Sequence, residues 1–89
     1  MKAVVSVIGQ DSVGIIAKVS AGCAECSANI LDISQTVLNQ YFTMIMIVDI
    51  RQLTLPFDQF VDHMTELGKR EHLDIHVMHE DIFNAMHRI

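Results

Sequence analysis

The apolar residues of this chain change spacing close to its start, and that change limits the possible folds more than any other feature. "AVVSVI", residues 3–8, is β-branched and apolar almost throughout. It reads as a strand covered on both faces, or covered on one face with the other at an interface. After the polar loop "GQDSVG", Ile15, Ile16, Val19, Cys23 and Cys26 recur at three- and four-residue steps. They mark one face of an amphipathic helix over Gly14 to Ala28, with Asn29 fitting the residue that ends it.

The same two periods alternate to the end of the chain. In "ILDISQTVL", residues 30–38, Leu31, Ile33 and Val37 point one way and Asp32, Ser34 and Thr36 the other, as in a half-buried strand. Asn39-Gln40 is a tight-turn pair. "YFTMIMIVDI", residues 41–50, is longer and more continuously apolar, so it belongs in the middle of its sheet. The only proline, Pro56, opens a second helix, in which Phe57, Phe60, Val61, Met64 and Leu67 keep the helical period, with Gly68 near its end and room for another turn through Lys69-Arg70-Glu71. "LDIHVMHE", residues 73–80, alternates as a fourth strand. In the tail, Ile82, Phe83, Met86 and Ile89 share a helical face that should dock. The order is β-α-β-β-α-β. With right-handed crossovers it predicts an α+β, ferredoxin-like domain over residues 1–89. Its four-stranded antiparallel sheet would carry two helices on one face, with a short C-terminal helix added.

A chain of 89 residues buries only about 60% of its unfolded surface. Yet 51% of its residues are hydrophobic, an excess that predicts a homodimer or larger homo-oligomer covering apolar surface. The alternative is a well-filled monomeric core. The net charge of −5, with unclustered Lys and Arg, argues against direct nucleic-acid binding. No apolar run is long enough to span a membrane, and the stretch after Met1-Lys2 is too short for a signal peptide, so a cytoplasmic location is expected. The two cysteines imply no disulfide framework.

Cys23 and Cys26 form a C-x-x-C pair, but near the end of the helix, where the dipole raises a thiol pKa rather than lowering it. They share the apolar stripe with Val19 and read as packing residues. His76 and His79 lie three apart on a strand and face opposite ways, His63 falls on the polar side of the second helix, and His87 lies in the tail. No nucleophile–base or paired-carboxylate arrangement emerges, and no metal or cofactor is expected.

The first loop has two readings. Gly9 lets the chain leave the strand at any φ, and Gly14 permits close backbone approach. The N–H groups near Val13 to Ile15 offer the positive end of a helix dipole to an α-carboxylate, and Asp11 offers a counter-charge to an α-ammonium. Equally, Asp11 or Ser12 could simply cap the helix, with the glycines only fitting the turn. The pattern of strand, Gly-x-Asp-x-x-Gly-Ile, helix, Asn-Ile and alternating strand resembles the ACT domains, small regulatory modules that often bind amino acids. "NILDISQTV", "YFTMIMIVDI" and "IFNAMHRI" are similar to the short stand-alone members, some related to the glycine cleavage system repressor. The Cys23/Cys26 pair departs from that subgroup.

The resemblance implies a non-enzymatic homodimer that senses a small molecule, an amino acid first among candidates, and signals to a partner protein. It places the ligand where the loop meets the start of the second strand, often across a dimer interface. The matching positions are Gln10, Asp11, Ser12, Val13, Gly14 and Ile15, with Asn29 and Ile30 opposite. The side chain of Asn29 both donates and accepts, which suits an amino-acid head group. A ligand-free interaction module, and a metal or redox carrier built on Cys23 and Cys26, are the competing readings.

Overall fold

The computed structural model describes residues 1–10 and 12–86. The expectations for Asp11, His87 and Ile89 lie outside the described residues. Along the chain run β1 (Lys2–Gln10), α1 (Ile15–Glu25), β2 (Asn29–Leu38), β3 (Tyr41–Asp49), α2 (Phe57–Glu71), β4 (Asp74–His79) and α3 (Glu80–Met86). The strands form one antiparallel sheet in the order β2-β3-β1-β4, the ferredoxin-like arrangement expected.

Register explains which side chains meet the helices. Val5 stands opposite Met46 and Val77, and Val7 opposite Met44 and Ile75. Directly opposed residues share a face of the sheet. Val5, Val7, Met44 and Met46 are therefore buried together, against Val19 and Cys23 of α1 and Phe60 and Met64 of α2. Each such side chain contributes about 1.5–3 kcal/mol by leaving water. The other face carries Val4, Ser6, Ile8, Ile45 and His76. Across its β1–β4 half lies α3, where Phe83 shares a hollow with Val4, Ser6, His76 and Met78.

Several local expectations are corrected. Helix α1 stops at Glu25 rather than Ala28, because Ser27 turns left-handed (φ 59°) and its N–H and that of Ala28 fold back onto the carbonyls of Ala24 and Cys23. Asn29 is already the first residue of β2, so it does not end the helix. Ile16 does not join the buried stripe of Ile15, Val19, Cys23 and Cys26; it is exposed beside the sheet edge. Strand β2 is not half-buried: apart from Ile30 it is exposed along its length, because it is an edge strand that the two helices do not cover. A register shift between Ile30 and Asp32 sets Leu31 apart, and Ile33 and Val37 stand opposite Met46 and Phe42 on the helix side. Of the apolar residues of α3 only Phe83 is half-buried, while Ile82 and Met86 remain exposed.

The corner from α2 into β4 is tight. His72 ends the helix in the left-handed region (φ 57°), and the Leu73 N–H donates to the Gly68 carbonyl at 2.8 Å. A Cβ on Gly68 would stand 2.6 Å from the Leu73 carbonyl oxygen, a backbone atom that cannot swing away. Helix propensity alone would favour alanine here by about 1 kcal/mol. Overpacking against backbone should outweigh that gain, so Gly68→Ala is expected to destabilise the fold by about 1–3 kcal/mol in urea unfolding. A neutral or stabilising result would show that the corner yields.

Candidate functional site

The loop after β1 enters α1 through Gly14, which is left-handed (φ 86°, ψ 7°), a conformation that strains any residue with a Cβ. Gly14 is the N-cap, with no side chain among the described residues hydrogen-bonded to the helix end and no acidic residue in the first turn. Capping by Ser12 is therefore not realised. The first N–H groups of α1 have no side-chain acceptor among the described residues.

A groove of about 290 Å³ runs beside this helix start. Ser12, Gly14 and Ile16 line one wall, Gln35 and Val37 of β2 the other, and Phe42 lies in it too. Its size is at the small end of ligand pockets, about 300–1,000 Å³. Ile15 also lines it but is otherwise buried in the core, and Val13 is almost fully exposed. Gln10 faces a different hollow, shared with Ser12, Glu71 and His72. There Lys18 donates to Glu71 at 2.6 Å, which holds the Glu71 carboxyl below its ordinary range. This exposed pair ties the first turn of α1 to the end of α2.

Asn29 and Ile30 are not beside the loop. Asn29 pairs with Asp49, which also pairs with Lys2, at the opposite end of the sheet from Gln10 and Tyr41. The ten residues of β2 separate the two ends by about 30 Å at strand spacing. Within one protomer the expected juxtaposition fails, because α1 carries the chain back down the sheet before β2 begins. Ile30 packs half-buried against the core. Asn29 lines a cavity of about 280 Å³ with Ser27, Asp49, Arg51 and Gln52. The Arg51 side chain grips Asp49 through Nε and Nη2, the latter at 2.7 Å. Those hydrogen bonds lower the Asp49 carboxyl pKa and raise that of Arg51. Sequence reasoning missed this pair; its signal was an Asp and an Arg two residues apart where a central strand ends.

The cysteines sit in the core as free thiols. Burial, and then the neighbouring Cys26, push Cys23 up to about 11; burial and Glu25 raise Cys26. Such thiols are the reverse of an activated redox pair. Among the described residues no three His, Cys, Asp or Glu side chains are grouped to hold a metal ion. His76 and His79 do face opposite sides of the sheet. His63 is not on an outer polar surface: it is half-buried against α1, its Nε2 3.9 Å from Glu25 and without a hydrogen bond. No helix among the described residues is long and apolar enough to cross a membrane.

Known proteins with related sequences bear on this geometry. The family profile described as "ACT domain" matches residues 2–77. A UPF0237 protein of Listeria innocua is 48% identical over 89 residues, all of both chains. A solved ACT domain protein from Streptococcus pneumoniae is 39% identical, with a TM-score of 0.82 over 98% of each chain. A structure described as a putative glycine cleavage system transcriptional repressor is 22% identical and has a TM-score of 0.71 over 85% of this chain and 43% of its own, a likeness of fold.

The thiol shift has a measurable sign. The unfolded Cys23 thiol ionises from about 9.0 and the folded one only from about 11, so the unfolded state loses its proton first. Stability should be intact below pH 9 and fall as pH rises through that window, at roughly 1 kcal/mol per pH unit. Urea unfolding between pH 8 and 11 should show this extra loss in the wild type and not in Cys23→Ala. Parallel curves would remove the assignment.

Proposed function

The chain belongs to the ACT domain family, and from that premise we propose that it is a non-enzymatic regulatory homodimer. It would hold a small molecule with an amino-acid head group between its two subunits, and a partner protein would read the result. The observation that carries this reading is the exposed edge of β2. Leu31, Ile33, Val37 and Leu38 are all exposed along it, and Asp32 is its only charged residue. A long, apolar, barely charged edge is a liability in a monomer, and pairing removes it.

Two-fold symmetric pairing of such edges is antiparallel, so the first residues of one β2 lie beside the last residues of the other. That arrangement brings Asn29 and Ile30 of the partner subunit toward the Val37 end, where the groove at the start of α1 opens. It supplies between chains the juxtaposition that one chain lacks. The N–H groups of the first turn suit a carboxylate, and Asp11 suits an ammonium. A ligand that touches both subunits favours one dimer arrangement in proportion to its differential affinity, which is the signal available to a partner. Residues 1–89 act as a single domain in this reading, in the cytoplasm and without a cofactor. A ligand-free interaction module is the second reading, supported by Ile8, Ile45 and Tyr41, which stay exposed on the open sheet face.

Light scattering and thermal shift against the twenty amino acids test the proposal. The wild type should be a dimer, and Ile33→Lys, which points a charge inward at the edge, should yield a folded monomer. At least one amino acid should raise the melting temperature of the dimer. Asp11→Ala should weaken that ligand about tenfold, the loss of one charge-assisted contact, and leave the dimer intact. A folded dimer indifferent to all twenty would overturn ligand sensing and favour the interaction module.

A further inference from the structure

We infer that Arg51, held in place by Asp49, is the anion clamp that takes the carboxylate of an α-amino acid. A guanidinium carries five N–H donors on two usable edges. Asp49 occupies one edge: Nε donates to both of its oxygens at 3.1 and 3.0 Å, and Nη2 to Oδ2 at 2.7 Å. The backbone N–H of Arg51 adds a bond to Oδ1 at 3.0 Å. Both N–H groups of Nη1 and the second of Nη2 are left without an acceptor among the described residues. They form a second fork, with the parallel geometry that a carboxylate accepts through both oxygens. Asp49 keeps the long side chain from wandering, so less freedom is lost when a ligand binds.

Asp49 is largely covered, while the Arg51 side chain is 72% exposed and its free edge is open to a ligand from solvent. The pair lines a cavity of about 280 Å³ whose other walls are Ser27, Asn29 and Gln52, all neutral donors and acceptors. Arg51 and Asp49 together carry no net charge, so the pair offers free N–H donors to a carboxylate beside an acceptor carboxylate. The same carboxylate attracts an ammonium. The pair therefore favours a zwitterion over a bare carboxylate, and over an amine alone. The inference rests on the proposed shared site in one respect: antiparallel pairing of β2 sets this cavity beside the α1 start of the partner subunit, so that the clamp and those N–H groups close on one ligand.

NMR titration of the wild-type dimer with each amino acid, and with propionate as an amine-free carboxylate, tests the clamp. The Arg51 Nε and Nη signals, the Asn29 side-chain amide and the backbone amides of residues 12–15 are followed together. The bound amino acid should move all of them, and propionate should bind about tenfold more weakly. Arg51→Gln should weaken the amino acid tenfold or more, and Arg51→Lys should fall between. If the amino acid binds and moves residues 12–15 while Arg51→Gln leaves its Kd unchanged, the clamp is overturned and the loop site stands. If Arg51→Gln abolishes binding while residues 12–15 never move, the clamp stands and the shared site falls. A titration in which no amino acid moves any of these signals overturns both. Should Arg51→Gln fail to fold, the wild-type Nη signals and Arg51→Lys carry the decision.

Discussion

Strand β1 is hydrogen-bonded along both edges, to β3 and to β4, and its alternation fixes what each face of the sheet becomes. Ala3, Val5 and Val7 go to the helix side and are fully buried; Val4, Ser6 and Ile8 go to the other. A one-residue slip would exchange the two sets and set Ser6 against α1 and α2. At the top of β1 the chain entering β4 packs close: a Cβ on Gly9 would meet the end of the Leu73 side chain at 2.6 Å, so a larger residue there would require that side chain to shift.

The two crossovers that β1 anchors have unequal consequences. Helices α1 and α2 cover the central strands and leave β2 to stand at the edge, exposed on both faces. The start of α1 nevertheless lies beside the far end of β2, and that proximity creates the groove over Phe42. A single structural fact, an uncovered edge strand, thus accounts for the exposed apolar side chains and for a binding groove with one wall open. The polar cavity of Asn29, Asp49 and Arg51 lies at the other end of the same strand. Two-fold pairing is the operation that brings such ends together.

Much of the fold was legible from side-chain spacing alone. Val5, Val7, Met44 and Met46 announced central strands by being apolar without interruption, and Phe60, Met64 and Leu67 announced a helix by their period. The errors fall where spacing carries no distance information. In β2 the alternation of Ile33 and Val37 with Ser34 and Thr36 was real, yet both sets are exposed, because alternation says which way a residue points and not what covers it. Ser27 ended α1 although serine is an uncommon left-handed residue, and the more suggestive Asn29 did not. Asn29 was assigned to the loop by resemblance, and one chain holds them about 30 Å apart. Arg51 attracted no notice because its partner, Asp49, looked like the last residue of an ordinary strand.

The sequence by itself determined the element order, the composition of the core and the burial of Cys23 and Cys26, because each follows from local periodicity and the cost of exposing apolar surface. It also marked the loop from Gly9 to Ile16 as unusual, through a glycine that the left-handed entry to α1 requires. Only the tertiary structure decided that Ser12 does not cap that helix, that β2 is left bare, and that Asp49 and Arg51 join Asn29 around one cavity. Those outcomes depend on which strand lies at the edge and on how far each end of the sheet is from the other, quantities set by three-dimensional packing rather than by the order of residues along the chain.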